Sequence, residues 1–155
     1  MTRTSAGLIF LLLLLPTIGA AQQDSLVVTV TRSTDLTFGT VYTGTTAQVL
    51  QSDATSAEFI VTGAADSTVT LTFSLPQTIK SGAATLPVSF GTADAAWSEV
   101  EDVAGRTVFD PNQGTQITMP AQAVIYVWVG GRISPGLSQP SGGYAGTLSL
   151  SAVVN

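Results

Sequence analysis

VWVGGRISPGLSQPSGGYAGTLSLSAVVN, from Val127 to Asn155, ends the chain and separates two very different readings of it. Gly130-Gly131 and Gly142-Gly143 lie here between an apolar run and an alternating one. A loop that cradles phosphate places its glycines between a strand and a helix, because the helix N-terminus supplies the N–H groups that meet the anion. The residues that follow, Thr147 to Val154, instead alternate with a period of two, putting Leu148, Leu150, Ala152 and Val154 on one face. That is a strand. No Gly-Lys-Ser/Thr occurs, and Arg132 is the one nearby cation. The segment therefore reads as a loop between adjacent strands, with the paired glycines as its bends.

Working outward, Val124 to Val129 is apolar on both faces, as a central strand covered on both sides should be. Thr68 to Leu75 alternates Val69, Leu71, Phe73 and Leu75 with Thr and Ser, the pattern of a half-exposed strand. Ala57 to Thr62 precedes it across the turn Gly63 to Ser67, and Ala47 to Leu50 suits a short edge. Leu86 to Phe90, Thr107 to Phe109 and Gln116 to Met119 are further strand candidates. Near the start, Leu26, Val28 and Val30 share a face, and the parity continues to Leu36 and Phe38 as two strands or one bent strand. Asp94 to Val103 is the only stretch compatible with a helix. Many short strands, spaced by turn residues and rich in Thr and Val, predict an all-β antiparallel sandwich or barrel.

Met1 to Ala21 is set apart from that pattern. A basic start, the unbroken run Leu8 to Leu15, Pro16 and the small residues Gly19-Ala20-Ala21 form the plan of a secretory signal peptide. The apolar run is shorter than the roughly 20 residues that span a bilayer, so no membrane insertion is expected after cleavage. The remainder, residues 22–155, has the size of one domain and shows no linker or change of composition. A chain of that size buries roughly two thirds of its unfolded surface, enough for a core without staples. With no cysteine it has no disulfide to add. Four basic residues (Arg32, Lys80, Arg106, Arg132) stand against ten acidic ones, so no basic patch for nucleic acid is expected.

The absence of His and Cys excludes Ser-His-Asp and Cys-His nucleophiles and the usual zinc sites. No pair of carboxylates is singled out by spacing for glycoside cleavage, so no catalytic residue and no cofactor is assigned. Asp94, Glu99, Glu101, Asp102 and Asp110 gather in one acidic stretch, but without the alternating acids of a calcium loop, and no metal site is assigned. Trp128 belongs to the doubly apolar strand and reads as core. Trp97 lies in an acidic context that suits an exposed, sugar-stacking ring.

Three short motifs together carry a resemblance: Leu36, Phe38 and Gly39; Phe59, Val61 and Gly63; and Val129, Gly130, Gly131, Gly143, Tyr144 and Gly146. The chain resembles an exported bacterial domain-of-unknown-function family related to spore coat protein U-like and fimbrial subunits. Gly143 stands one place nearer the tyrosine than that pattern has its glycine. The resemblance implies an immunoglobulin-like, pilin-like sandwich at the cell surface or secreted, with like subunits or a periplasmic chaperone as partners. It also implies assembly by a donated N-terminal strand, a form of β-augmentation. Leu26, Val28 and Val30 have the alternation of such a donor and equally that of a strand paired within its own domain. Two departures count against chaperone-dependent assembly: no aromatic stands near the C-terminal Asn155, and the cysteines of many spore coat U-like members are missing. A secreted module for a glycan or cation is the alternative. Intact-mass measurement of the chain recovered from a secreting host is expected to give Gln22 as the first residue, or Ala21 as a minor form.

Overall fold

The computed structural model describes residues 27–155, and the expected leader, residues 1–21, and Leu26 lie outside the described residues. It is all-β, with every strand pairing antiparallel and no helix among the described residues. The pattern of Val124–Val129 is realised directly. That strand, β10, sits in the middle of a five-stranded sheet ordered β1-β3-β10-β7-β8. The other strands of that sheet are β1 (Thr29–Thr34), β3 (Ala57–Thr62), β7 (Ala95–Ser98) and β8 (Thr107–Phe109), of which β3 and β7 flank it. Against one face lies a three-stranded sheet, β12-β4-β9, formed by β12 (Ser149–Val154), β4 (Thr68–Ser74) and β9 (Thr115–Thr118). The strands β2 (Ala47–Val49), β11 (Gly131–Ile133), β6 (Ala84–Ser89) and β5 (Thr78–Ser81) make a four-stranded sheet ordered β2-β11-β6-β5.

The main core follows from period-two burial on facing strands. Phe59 and Val61 of β3, Val69, Leu71 and Phe73 of β4, and Ile125, Val127 and Val129 of β10 are buried together. In register, Val127 faces Phe59 and Ile125 faces Val61, so apolar cross-strand pairs stack along β3 and β10. Phe73 meets Phe59 edge-on at 6.0 Å and stacks on Phe109 at 6.2 Å. A second, smaller core of Leu86, Val88 and Ile133 lies under the four-stranded sheet, with Phe38 and Tyr144 packed against it.

One strand serves both cores. β10 runs on into β11 with only Gly130 between them, passing from the five-stranded sheet to the four-stranded one. Gly130 and Gly131, expected to bend the chain by conformational freedom, do something else, for neither has a positive φ. A β-carbon on Gly130 would land on the main-chain carbonyl of Val49. The glycine admits close approach of two backbones.

Other expectations are corrected. The helix around Asp94 to Val103 is absent; β7 occupies its first half. The Asp94 carboxylate accepts the Gly91 N–H at 2.7 Å and its carbonyl accepts the Gly130 N–H at 2.7 Å, which fixes the strand start. Ala95 and Ala96 then pair with Val129 and Trp128, where small side chains fit beneath large ones, and this tertiary fit overrides helix propensity. The stretch Gly130 to Gly146 is not one loop, since β11 lies inside it and pairs with both β2 and β6. Leu36 and Phe38 keep the expected parity but lie in a segment outside any ladder, Leu36 on the main core and Phe38 on the second. Trp97 is half-buried against the main core and not an exposed platform.

Gly130→Ala is expected to cost about 3 kcal/mol, the upper range for overpacking against backbone that has no room to move. Gly143→Ala, with nothing within 4 Å of the added carbon, should stay within about 0.5 kcal/mol. Urea unfolding of the two variants checks the contrast.

Candidate functional site

The two sheet edges that face each other belong to the first strand and the last. β1 ends the five-stranded sheet, β12 ends the three-stranded one, and the two strands approach each other across the seam. Beyond that contact the seam opens into a cavity of ≈ 820 Å³. Its floor is apolar, built from Phe59, Ile79, Leu86, Val88 and Ile133. One wall is the segment Leu36 to Thr43, which continues directly from β1. The other is Gln139 to Leu148, which leads into β12.

Both walls are backbone with few partners. Thr37 N–H donates to the Thr55 carbonyl at 2.9 Å and Gly44 N–H to the Pro135 carbonyl at 2.8 Å. Among the described residues, no main-chain N–H from Phe38 to Thr43 donates to another main-chain group. On the facing wall, Ala145 exchanges hydrogen bonds with Lys80 of β5 at 2.8 and 2.9 Å, and Gly146 to Leu148 make none to the backbone. An apolar trough flanked by unpaired main-chain groups has the chemistry of a strand-sized gap in a sheet.

Seven residues singled out by motif meet at this gap: Leu36, Phe38 and Gly39 on the first wall, Gly143, Tyr144 and Gly146 on the second, and Phe59 on the floor. Gly39 has φ +66°, the left-handed conformation in which a side chain is strained. A β-carbon on Gly146 would sit 2.8 Å from the Ile79 methyl, so glycine keeps the wall against β5. The Tyr144 hydroxyl donates to the Pro140 carbonyl at 2.8 Å and accepts from Gln139 Nε2 at 2.6 Å, which pins the second wall over the smaller core. Gly130 and Gly131 stand apart from the groove, at the β10–β11 crossing. Val28 and Val30 also lie elsewhere, half-buried against the main core, with Val30 paired to Val61 of β3. Leu86 and Val88 read from the sequence as part of a strand, but neither they nor Ile133 read as part of a site. The alternation Leu86-x-Val88 was a usable signal, but nothing local ties it to Phe38 or Tyr144.

The groove carries almost no charge. Arg32 and Asp35 flank one end and pair with each other at 2.9 Å, both largely exposed, where an ion pair contributes little. The acids of the 94–110 stretch do not converge. Asp110 accepts from the Asn112 amides, Asp102 from the Ala104 N–H, and Asp94 caps Gly91. Among the described residues no three acidic side chains come together as a metal cage needs.

Tyr144→Phe removes two hydrogen bonds while leaving the ring in place, and should lower stability in urea by about 1 kcal/mol. Tyr144→Ala, which also removes the ring packed against the smaller core, should cost more than Tyr144→Phe in the same measurement. Compared with models of protein families, with characterised proteins and with solved structures, the chain finds no match.

Proposed function

We propose that the chain is a non-enzymatic, exported structural protein of the cell surface, a pilin-like subunit that joins like subunits by β-augmentation. The observation that carries this reading is the apolar groove between two walls of unpaired backbone. A strand laid in it would find apolar pockets for alternate side chains and main-chain partners on both sides.

The same chain offers a donor of suitable pattern. Residues 22–31 carry Leu26, Val28 and Val30 at alternate positions. In the described structure β1 is paired with β3, so donation requires β1 to leave that edge. It is weakly held: Val28 and Val30 are half-buried and Thr31 to Thr34 are exposed. The ladder also shifts register between Arg32 and Thr34. Two half-buried valines contribute about 2–3 kcal/mol, an amount that docking the same side chains in a neighbour's groove would offset.

Direction supports assembly between copies. Val28 lies beside Gly63 and Met119 at one end of the sandwich, whereas the groove opens beyond the other end of β1. Gln22 to Leu26 reach at most about 17 Å, less than the length of β1 itself, about 20 Å. A donor leaving from that end points toward another subunit, a head-to-tail contact that builds open filaments.

A synthetic peptide of residues 22–32 is expected to bind the chain lacking residues 22–31 with micromolar affinity, and Asp at Val28 and Val30 of the peptide should abolish binding. The mature chain should form concentration-dependent oligomers by light scattering. Equal binding of both peptides, or none, together with a strictly monomeric mature chain, would remove the reading.

A further inference from the structure

The outer face of the five-stranded sheet holds a second cavity, ≈ 310 Å³, over Trp128. Its base is Glu58, which the register sets between Thr34 of β1 and Trp128 of β10. Glu58 is only 8% exposed. Among the described residues its carboxylate accepts no hydrogen bond and joins no ion pair. No fully buried polar side-chain atom of the described residues lacks a partner, so the unpartnered Glu58 oxygens keep some accessible surface. The opening they reach is this cavity.

Two hydroxyls beside the carboxylate have already committed their protons. Thr34 Oγ1 donates to the Ser56 carbonyl at 3.0 Å and Ser56 Oγ to the Gln51 carbonyl at 3.4 Å. What they present to the cavity is lone pairs. The one resident cation, Arg106, lies within electrostatic reach of Glu58 but spends its hydrogen bonds elsewhere. Arg106 lies flat on Trp128, 3.4 Å from the ring centroid, with Nε donating to the Asp102 carbonyl at 2.9 Å and Nη1 to the Gln51 carbonyl. Glu101 and Asp102 add negative charge at the rim.

Three acceptors around one buried charge ask for a cation that brings its own diverging donors. A divalent ion does not suit, because no three acidic side chains converge among the described residues. A guanidinium presents its donors in one plane, whereas an ammonium presents three diverging from one nitrogen. We propose that this cavity binds an alkylammonium group, held by the Glu58 carboxylate with Thr34 and Ser56 as neutral acceptors. The group comes from a free polyamine or from a lysine side chain of a partner. The site lies on the opposite face from the groove, and it is complete only while β1, which carries Thr34, stays paired with β3.

The test titrates the mature chain with putrescine, Nα-acetyl-lysine methylamide and the Nε-acetylated form of the latter, by calorimetry and by amide and indole chemical shifts. Binding at one site is expected, lost on Nε-acetylation, with shifts centred on Thr34, Ser56, Glu58 and the Trp128 indole. Glu58→Gln, which keeps the side chain's size, should weaken binding about tenfold or more, the worth of a charge-assisted hydrogen bond. Thr34→Val should weaken it severalfold. Tighter binding of the lysine derivative identifies a partner's side chain as the source, and tighter binding of putrescine a free polyamine. No binding overturns the proposal. So does undiminished binding in Glu58→Gln, or shifts spread over the acidic surface, because either outcome marks diffuse attraction to net charge. The shift map of the native chain decides the matter if Glu58→Gln does not fold.

Discussion

The backbone of Gly130 passes so close to Val49 that the carbonyl there occupies the place of a side chain. That close approach is what lets β10 and β11 run as one strand through two sheets. β10 contributes Ile125, Val127 and Val129 to the main core, and β11, starting one residue after Gly130, contributes Ile133 to the smaller one. Were the two sheets not stitched there, the smaller core would have no fixed position over the larger. The groove exists because of the same stitch: its floor takes Phe59 from one sheet and Leu86, Val88 and Ile133 from the other.

The outer face of the five-stranded sheet is organised by a different balance. Tyr126 and Trp128 point away from the core and stack at 6.1 Å, and Trp128 is nonetheless buried. Its cover is Arg106, whose stem and planar head shield the indole while its donors satisfy carbonyls of the 50s loop and of Asp102. Burial holds the Arg106 guanidinium below its ordinary pKa, against the opposing pull of Glu58 and Asp102. An arginine remains charged through such a shift. The cover is thus a cation packed on an aromatic face with acids in reach, a contact of about 1–2 kcal/mol when partly desolvated.

Elements whose burial is decided by a single core were legible in the sequence. β3 spans Ala57–Thr62 as read, β4 and β12 alternate as read, and the doubly apolar β10 is central because Trp128 and Tyr126 are covered too. What escaped has a physical reason in each case. β11 is three residues long and begins with Gly131, so neither periodicity nor propensity marks it. β5 reads Thr-Ile-Lys-Ser with one apolar residue, and holds its place by pairing with β6. The Asp94 helix fails because Ala95 and Ala96 are chosen for size beneath Trp128 and Val129, which a local pattern does not report. The groove joins segments about a hundred positions apart, so its motif residues were visible while their meeting was not. Glu58 sits inside the apolar run Ala57 to Val61; its parity sends it outward, but only the register with Trp128 shows what it meets.

The place of β12 has a consequence in time. The three-stranded sheet puts β4 between β12 and β9, and Leu150 of β12 is part of the main core. Until Ser149 to Val154 have emerged, β4 lacks one of its two neighbours and Leu71 and Phe73 lie beside an unfilled edge. A polypeptide growing from its N-terminus therefore has no complete core to collapse around, and loop closure between β4 and β12 comes only at the end. A chain that has not yet added β12 keeps that edge of β4 open to whichever strand reaches it first.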